Sequence, residues 1–311
     1  MTEWAIWTDD LTKQYGALTA VDRLNLRVPR GAVYGFVGRN GAGKSTTIKL
    51  LAGLVRATAG SARLLGHEVR AARPAMRERV AFVNEHKALY DSFTPAELVR
   101  FTRGFYPRWS DLAADKYARL LDVPMSRPFS KLSLGNRNKV CLLLALAQNA
   151  ELLVLDEPSS GLDPVMMDDL LRILMDDHVA EGRTIFFSSH HLSDVERVAD
   201  WVGIIDRGTL LLEAPMDEIR NEFRAITVAG TDLPLSRAAE VVSAVRADRF
   251  VRYVVRSGAE RFAAERQREG ATLVDVSPLS LREVFLELVR KEEPCTSGNA
   301  GATPASASSS I

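Results

Sequence analysis

The chain has 311 residues, 46% of them hydrophobic, and its 40 Lys and Arg balance 40 Asp and Glu. That length accommodates one large domain plus a smaller one, and the composition is that of a globular protein rather than a disordered, fibrous or membrane-spanning chain. A formal net charge of zero argues against a surface built chiefly to grip nucleic acid, and no nucleic-acid partner is expected.

The opening Met1-Thr2-Glu3-Trp4-Ala5 lacks a basic region followed by an apolar core, so no signal peptide is expected. Residues 4–7 and 24–28 are strand-like, with a turn at Pro29-Arg30-Gly31. An apolar run at 33–37 predicts a buried strand. It leads into Gly38-Arg39-Asn40-Gly41-Ala42-Gly43-Lys44-Ser45-Thr46, which fits the phosphate-binding pattern G-x-x-x-x-G-K-[ST] in full. Ile48, Leu50, Leu51 and Leu54 then follow at helical spacing. Glycines allow backbone N–H groups to close around phosphate oxygens where a Cβ would obstruct the curl. The helix start adds partial positive charge. Lys44 should reach the β- and γ-phosphates of a nucleotide, and the Ser45 hydroxyl should ligate Mg²⁺.

A strand is predicted at 80–83, ending in Asn84-Glu85-His86-Lys87, and residues 94–148 are expected to be mostly helical. Thr94-Pro95-Ala96-Glu97 has the features of a helix cap, with proline at the first helical position and an acid in the first turn. The longest apolar run, 140–147, is far short of the ~18–20 residues that cross a bilayer, so any membrane span would come from another chain. Strand 152–155 carries Asp156 and Glu157 out at its carboxyl end, where ligands of open α/β sheets collect. Asp156 is placed to hold Mg²⁺ through water and Glu157 to polarise the water that attacks the γ-phosphate. Helix 165–179, strand 184–187, helix 192–199 and strands 202–205 and 209–212 complete an alternation that implies a mainly parallel sheet covered on both faces.

Beyond about residue 215 the texture changes to a small α/β unit, with strands at 225–229, 251–255 and 272–276 and helical patterns between them and at 281–289. Residues 294–311 are almost wholly Pro, Ala, Ser, Thr and Gly and are expected to be a disordered tail. The two cysteines, Cys141 and Cys295, have no metal-ligand spacing, and a reducing cytoplasm is the expected setting.

Three further segments complete a pattern: Leu132-Ser133-Leu134-Gly135-Asn136 opens a long apolar helix, Ser160-Gly161-Leu162-Asp163 follows the acids, and Ser188-Ser189-His190 ends a strand. With these, residues 3–215 resemble the nucleotide-binding subunit of ABC transporters in order and spacing. Among its branches, Glu85-His86-Lys87-Ala88-Leu89-Tyr90 and Phe105-Tyr106-Pro107-Arg108-Trp109 look most like the bacterial exporter type, whose ATPase and membrane parts are separate chains. The aromatics of the second segment could help form a groove for the membrane partner.

The resemblance implies a P-loop NTPase of α/β class, with a RecA-like core, an antiparallel β subdomain and an inserted helical subdomain. It implies domains at 1–215 (helical subdomain about 86–148) and 216–293. It places Tyr15 on adenine, and Ser133, Gly135 and Asn136 in the signature motif that contacts the γ-phosphate of an opposite subunit. Asp163 becomes the D-loop aspartate between the two sites, and His190 the switch histidine on the γ-phosphate. Two positions depart from the family. Glu85 stands where glutamine is usual, as a catalytic and metal-binding candidate whose carboxylate would add negative charge beside the phosphates. Leu134 and Asn136 replace glycine and glutamine of the common signature, LSGGQ. If position 134 needed positive φ, leucine would cost about 1–2 kcal/mol, so ordinary helix-entry geometry is expected there.

The function implied is ATP binding and hydrolysis by an ABC transporter subunit, peripheral on the inner face of the cell membrane. ATP and Mg²⁺ would be its cofactors, and its partners a second ATPase subunit and a separate transmembrane permease. Two alternatives stand beside it: a soluble ABC-type ATPase acting on nucleic acid or ribosomes, and a nucleotide-binding regulator that does not turn over. The chain has one ATPase half and no cysteine cluster, against the first; intact Asp156, Glu157 and His190 speak against the second.

Overall fold

Short apolar runs build the centre of the molecule. The structure, a computed structural model, describes residues 4–71, 78–84, 89–230 and 240–291. The N-terminal strands are β1 (Trp4–Tyr15), β2 (Leu18–Leu24), β3 (Arg27–Pro29), β4 (Val33–Val37), β5 (Ala59–Leu64), β6 (His67–Glu68) and β7 (Val80–Val83). After them come β8 (Leu152–Leu155), β9 (Thr184–Ser189), β10 (Trp201–Asp206) and β11 (Thr209–Pro215). The central sheet has the order β11-β10-β4-β9-β8-β7. It is parallel from β10 to β7, and only β11 turns back antiparallel. Residues of β4, β8 and β9 are buried throughout, as a parallel sheet covered on both faces requires. This is the expected α/β P-loop core.

The second sheet is the expected antiparallel subdomain, in the order β2-β1-β5-β6 with β3 also on β1. Two details differ from the sequence reading. Residues 24–28 are not one strand. The chain breaks at Asn25, whose amide donates to Oδ1 of Asp10 at 2.9 Å and whose Oδ1 accepts the Asp10 N–H at 3.0 Å. Thr8 Oγ1 fills the gap, donating to Leu24 O and accepting from Leu26 N–H. Strand β5, Ala-Gly-Ser-Ala-Arg-Leu, carries little β-branched signal and is defined by its pairing with β1.

Helix α1 (Lys44–Leu51) follows β4, and α2 (Pro95–Arg103), α3 (Asp111–Leu120) and α4 (Leu134–Ala147) make the helical region. The predicted cap at α2 is a full capping box, Thr94 and Glu97 each bonding the other's backbone N–H. The apolar run 140–147 falls in α4 and packs in the larger core, buried except for partly exposed Cys141. Helices α5 (Pro164–Glu181) and α6 (Leu192–Val198) complete the core. Among the described residues no helix is long and apolar enough to cross a membrane.

Past α7 (Met216–Glu222) lies an antiparallel sheet of order β13-β14-β12-β15, from β12 (Phe223–Ala229), β13 (Val241–Ala247), β14 (Phe250–Arg256) and β15 (Thr272–Pro278). Strand β13 corrects the helical reading of that stretch. It closes a tight hairpin on β14, pairing Ala247 with Phe250 across Asp248 at φ +51°. Helix α8 (Ala259–Arg268) packs Phe262 on one face of this sheet. Helix α9 (Leu281–Lys291) joins the main core and touches α6, where the Leu281 N–H donates to Glu196 Oε1. The tail at 294–311 lies outside the described residues.

At the amino edge of the central sheet, Glu151 accepts two hydrogen bonds from Arg79 (2.8 and 2.7 Å) and one from Arg108 (2.6 Å). Arg108 precedes α3 and Arg79 precedes β7, so one carboxylate ties the helical region to the sheet. Chiefly the Arg79 hydrogen bonds, with the one from Arg108, pull its pKa from 4.5 to about 2. A lowered carboxylate pKa means stability that is present above pH 4.5 and lost as pH falls toward 2. Glu151→Gln should therefore cost on the order of 1 kcal/mol at neutral pH. In urea unfolding, the gap between parent and variant should narrow as pH falls below 4.5; a gap independent of pH would contradict the assignment.

Candidate functional site

The strand order brings three loops to one place. Strand β9 lies between β4 and β8. Hence the P-loop after β4, the acids after β8 and the residues ending β9 emerge side by side at the carboxyl edge.

In the P-loop, Gly43 has φ +110°, and a Cβ there would lie 2.6 Å from Ala20 O. Only glycine fits both constraints. Helix α1 starts at Lys44 with no side-chain cap and no acid in its first turn, leaving its N–H groups and positive pole facing the loop. Lys44 is buried, and its Nζ donates to Gly38 O at 2.7 Å and Arg39 O at 3.3 Å. Arg39 is clamped by Asp206, Nε to Oδ1 at 3.2 Å and Nη2 to Oδ2 at 3.1 Å. Asp206 was not visible as a partner because it is distant in sequence.

Asp156 and Glu157 are both almost fully buried. Asp156 Oδ1 accepts from Ser188 Oγ at 2.7 Å and lies 3.3 Å from Ser45 Oγ. Glu157 Oε1 lies 3.4 Å from Lys44 Nζ, and Oε2 lies 2.8 Å from Nδ1 of His190. With an ionised carboxylate, which only accepts, this contact requires the imidazole proton on Nδ1. The backbone of Glu157 is left-handed, φ +46°, and its N–H donates to Ser188 Oγ at 2.9 Å. Positive φ on a non-glycine residue is uncommon and persists where its surroundings fix it. The His191 ring lies against that of His190, with centroids 4.0 Å apart and planes tilted by 41°.

A cleft of about 730 Å³ opens over this loop. Tyr15, Ala20, Arg39, Gly41, Lys44 and Glu157 are among its walls. Tyr15 ends β1, opposite Leu18 across a hairpin turn, and Lys13 Nζ sits 4.7 Å from its ring centre. Leu18 also lines the cleft and is 66% exposed, an apolar wall the sequence reading did not single out.

Ser133, Gly135 and Asn136 are not among the residues lining this cleft. They start α4, where exposed Ser133 caps the helix by accepting the Asn136 N–H at 3.3 Å and the first turn holds no acid. Leu134 begins the helix without positive φ, as expected for helix entry. Gly135 backs onto the segment that follows the acids, and a Cβ there would meet Gly161 O at 2.7 Å. Buried Asn138, unnoticed in the sequence, donates to Pro158 O and Ser160 O and ties α4 to the same segment. Asp163 accepts the Met166 N–H at 2.9 Å and so caps α5. Glu85 lies outside the described residues.

The donor set suits Mg²⁺: a hydroxyl (Ser45) and a carboxylate (Asp156) stand together, both hard oxygen ligands. Among the described residues no three His, Cys, Asp or Glu are grouped as a metal site. Mg²⁺ needs no such cage, since it uses one or two protein ligands with water and phosphate.

Comparison with known proteins identifies the family. The ABC transporter family model matches residues 21–160. The bacitracin transport ATP-binding protein BcrA of Bacillus licheniformis is 36% identical over 221 residues, 70% of this chain and 72% of that one. The daunorubicin/doxorubicin resistance ATP-binding protein DrrA of Streptomyces peucetius is 34% identical over 228 residues, 70% of this chain and 68% of the relative. A solved structure of the ATP-binding subunit of an ABC transporter superposes with a TM-score of 0.64 at 28% identity, covering 70% of this chain and 92% of that one. The chain belongs to the ATP-binding proteins of ABC transporters, and it is an ATPase of that family.

The close approach at Gly135 makes a direct prediction. Gly135→Ala should destabilise the protein by about 1–3 kcal/mol through overpacking. Gly104→Ala, whose added Cβ would meet its nearest atom at an ordinary 3.6 Å, should change the urea midpoint far less. Equal midpoints for the two variants would contradict the packing argument.

Proposed function

We propose that the cleft binds ATP with Mg²⁺ and hydrolyses it between two copies of such a subunit, driving a separate membrane-spanning permease. The observation that carries this reading is the Glu157 carboxylate held between Lys44 and His190 beside the P-loop. In this reading Tyr15 and Leu18 flank the base, and the backbone from Gly38 to Thr46, Asn40 and Ala42 included, encloses the phosphates. Ser45 and Asp156 would hold Mg²⁺, which when bound neutralises phosphate charge. Glu157 polarises the attacking water, and Lys44 and His190 hold the γ-phosphate. Phosphoryl transfer needs little covalent chemistry, so positioning and charge supply most of the rate. Glu85, in the glutamine position, is a further catalytic and metal-binding candidate.

Ser133, Gly135 and Asn136 would complete the opposite copy's site, since they lie outside their own chain's cleft and present an uncharged helix start. Asp163 would stand between the two sites. ATP then closes the pair, and hydrolysis with phosphate release reopens it. We assign the ATPase domain to residues 1–215, its helical subdomain to about 86–148, and an accessory domain to 216–293.

The permease would seat in a groove of about 400 Å³ lined by Phe82, Asn84, Leu89, Phe101, Phe105 and Tyr106. Phe105 of the groove is 64% exposed, Phe101 is 40% exposed, and Tyr90, whose ring packs on Phe101, is 56% exposed. Arg108 and Trp109 of the same segment instead serve the fold, through Glu151 and Asp111. In this reading the subunit would sit on the cytoplasmic face of the membrane. The relatives' names, bacitracin transport and daunorubicin/doxorubicin resistance, support export as the direction.

Glu157→Gln tests the reading. It should lower phosphate release at least about 100-fold while ATP stays bound and closed pairs accumulate. Turnover near the parent rate would remove Glu157 from the assigned role.

A further inference from the structure

Ser188 interrupts an apolar strand. The preceding Ile185, Phe186 and Phe187 are buried, as a strand covered on both faces demands. Ser188 is equally buried, at 0% exposure, yet carries a hydroxyl. It stands opposite Phe36 on β4 and one residue beyond the Phe187–Leu155 pair on β8. That register sets it beside the two acids that leave β8.

A hydroxyl offers one donor and two acceptor sites. Ser188 donates to Asp156 Oδ1 at 2.7 Å and accepts the Glu157 N–H at 2.9 Å. Both partners belong to the site. A valine would serve the strand as well, but it would remove a hydrogen bond from each acid where water does not reach. The second bond acts on an unusual backbone. Glu157 holds φ +46°, with its N–H fixed by Ser188 and its carbonyl accepting the Ser160 N–H at 3.0 Å. This peptide orientation sends the carboxylate to Lys44 at 3.4 Å and His190 at 2.8 Å. Ser188 also orients Asp156 on the oxygen nearest Ser45.

We infer that Ser188 is a positioning residue for hydrolysis: one hydroxyl sets the direction of both acids, aiming Glu157 by fixing its left-handed backbone and Asp156 by binding its carboxylate. Nothing in the motif pattern of the sequence assigns it this role, and it rests on the hydrolytic reading above. It acts through Glu157 and Asp156, not on the nucleotide. Its loss should therefore slow the chemical step more than it weakens binding.

The test uses the full chain. Ser188→Ala should lower kcat for phosphate release by about tenfold to a hundredfold, the scale of a misplaced catalytic group. Its affinity for a fluorescent ATP analogue in Mg²⁺ should change by less than about threefold. Ser188→Cys, similar in volume but a weak donor, should lose several-fold and serves if the alanine variant does not fold. Placed in the Glu157→Gln background, Ser188→Ala should cost less rate than it does in the parent, because one of the two acids it positions is already gone. A parent-like kcat in Ser188→Ala overturns the inference, and so does a loss of binding that matches the loss of rate. An inactive parent, or an active Glu157→Gln, would instead overturn the hydrolytic reading on which it stands.

Discussion

The contact of Glu157 with Lys44 on one side and His190 on the other is the constraint on which the site depends. Each residue comes from a different loop, and each loop leaves a different strand. They meet because β9 threads between β4 and β8. A buried carboxylate beside a buried ammonium is tolerated only with good geometry and further hydrogen bonds. Here the second oxygen has the imidazole, the peptide N–H has Ser188, and the lysine has two P-loop carbonyls. Removing any one leg leaves charge or a polar group poorly partnered.

The second feature is that the chain carries an exposed, acid-free helix start outside its own cleft. Helix α4 begins with a capped, acid-free turn at Ser133. It is locked to the segment after the acids by Asn138 and by the close fit of Gly135 on Gly161. What happens at Glu157 is thus mechanically near what α4 presents. The segment from Pro158 to Asp163 is the short physical link between them, and it ends by capping α5. The accessory sheet adds another contact, since α9 rests on α6, the helix that follows His190.

Much of this was legible in the chain because it is local chemistry. A glycine loop between an apolar strand and a helix, paired acids at a strand end, and the Thr94–Glu97 cap each carry their own reason within a few residues. Most of the core strands were legible for the same cause: four apolar residues and a turn. The order of those strands was not, and with it went the partners that only order creates. Ser188 looks like a polar strand end until β9 is known to lie beside β8. Asp206 and Asn138 gain meaning only from Arg39 and Pro158, far away in sequence. Strand β13 was hidden because Val-Val-Ser-Ala-Val alternates too weakly to exclude a helix, and its hairpin decides the matter. Strand β5 carries almost no signal of its own.

The central claim is that each phosphate site is built from two copies, the P-loop and acids of one and the helix start of the other. Complementation measures this directly. A chain with Lys44→Ala and a chain with Ser133→Arg should each be inactive alone. Mixed, they form pairs with one intact site, Lys44 from the second chain facing Ser133 from the first, and phosphate release in Mg-ATP should reappear. A mixture as silent as its two components, from chains that still fold and pair, would contradict the account.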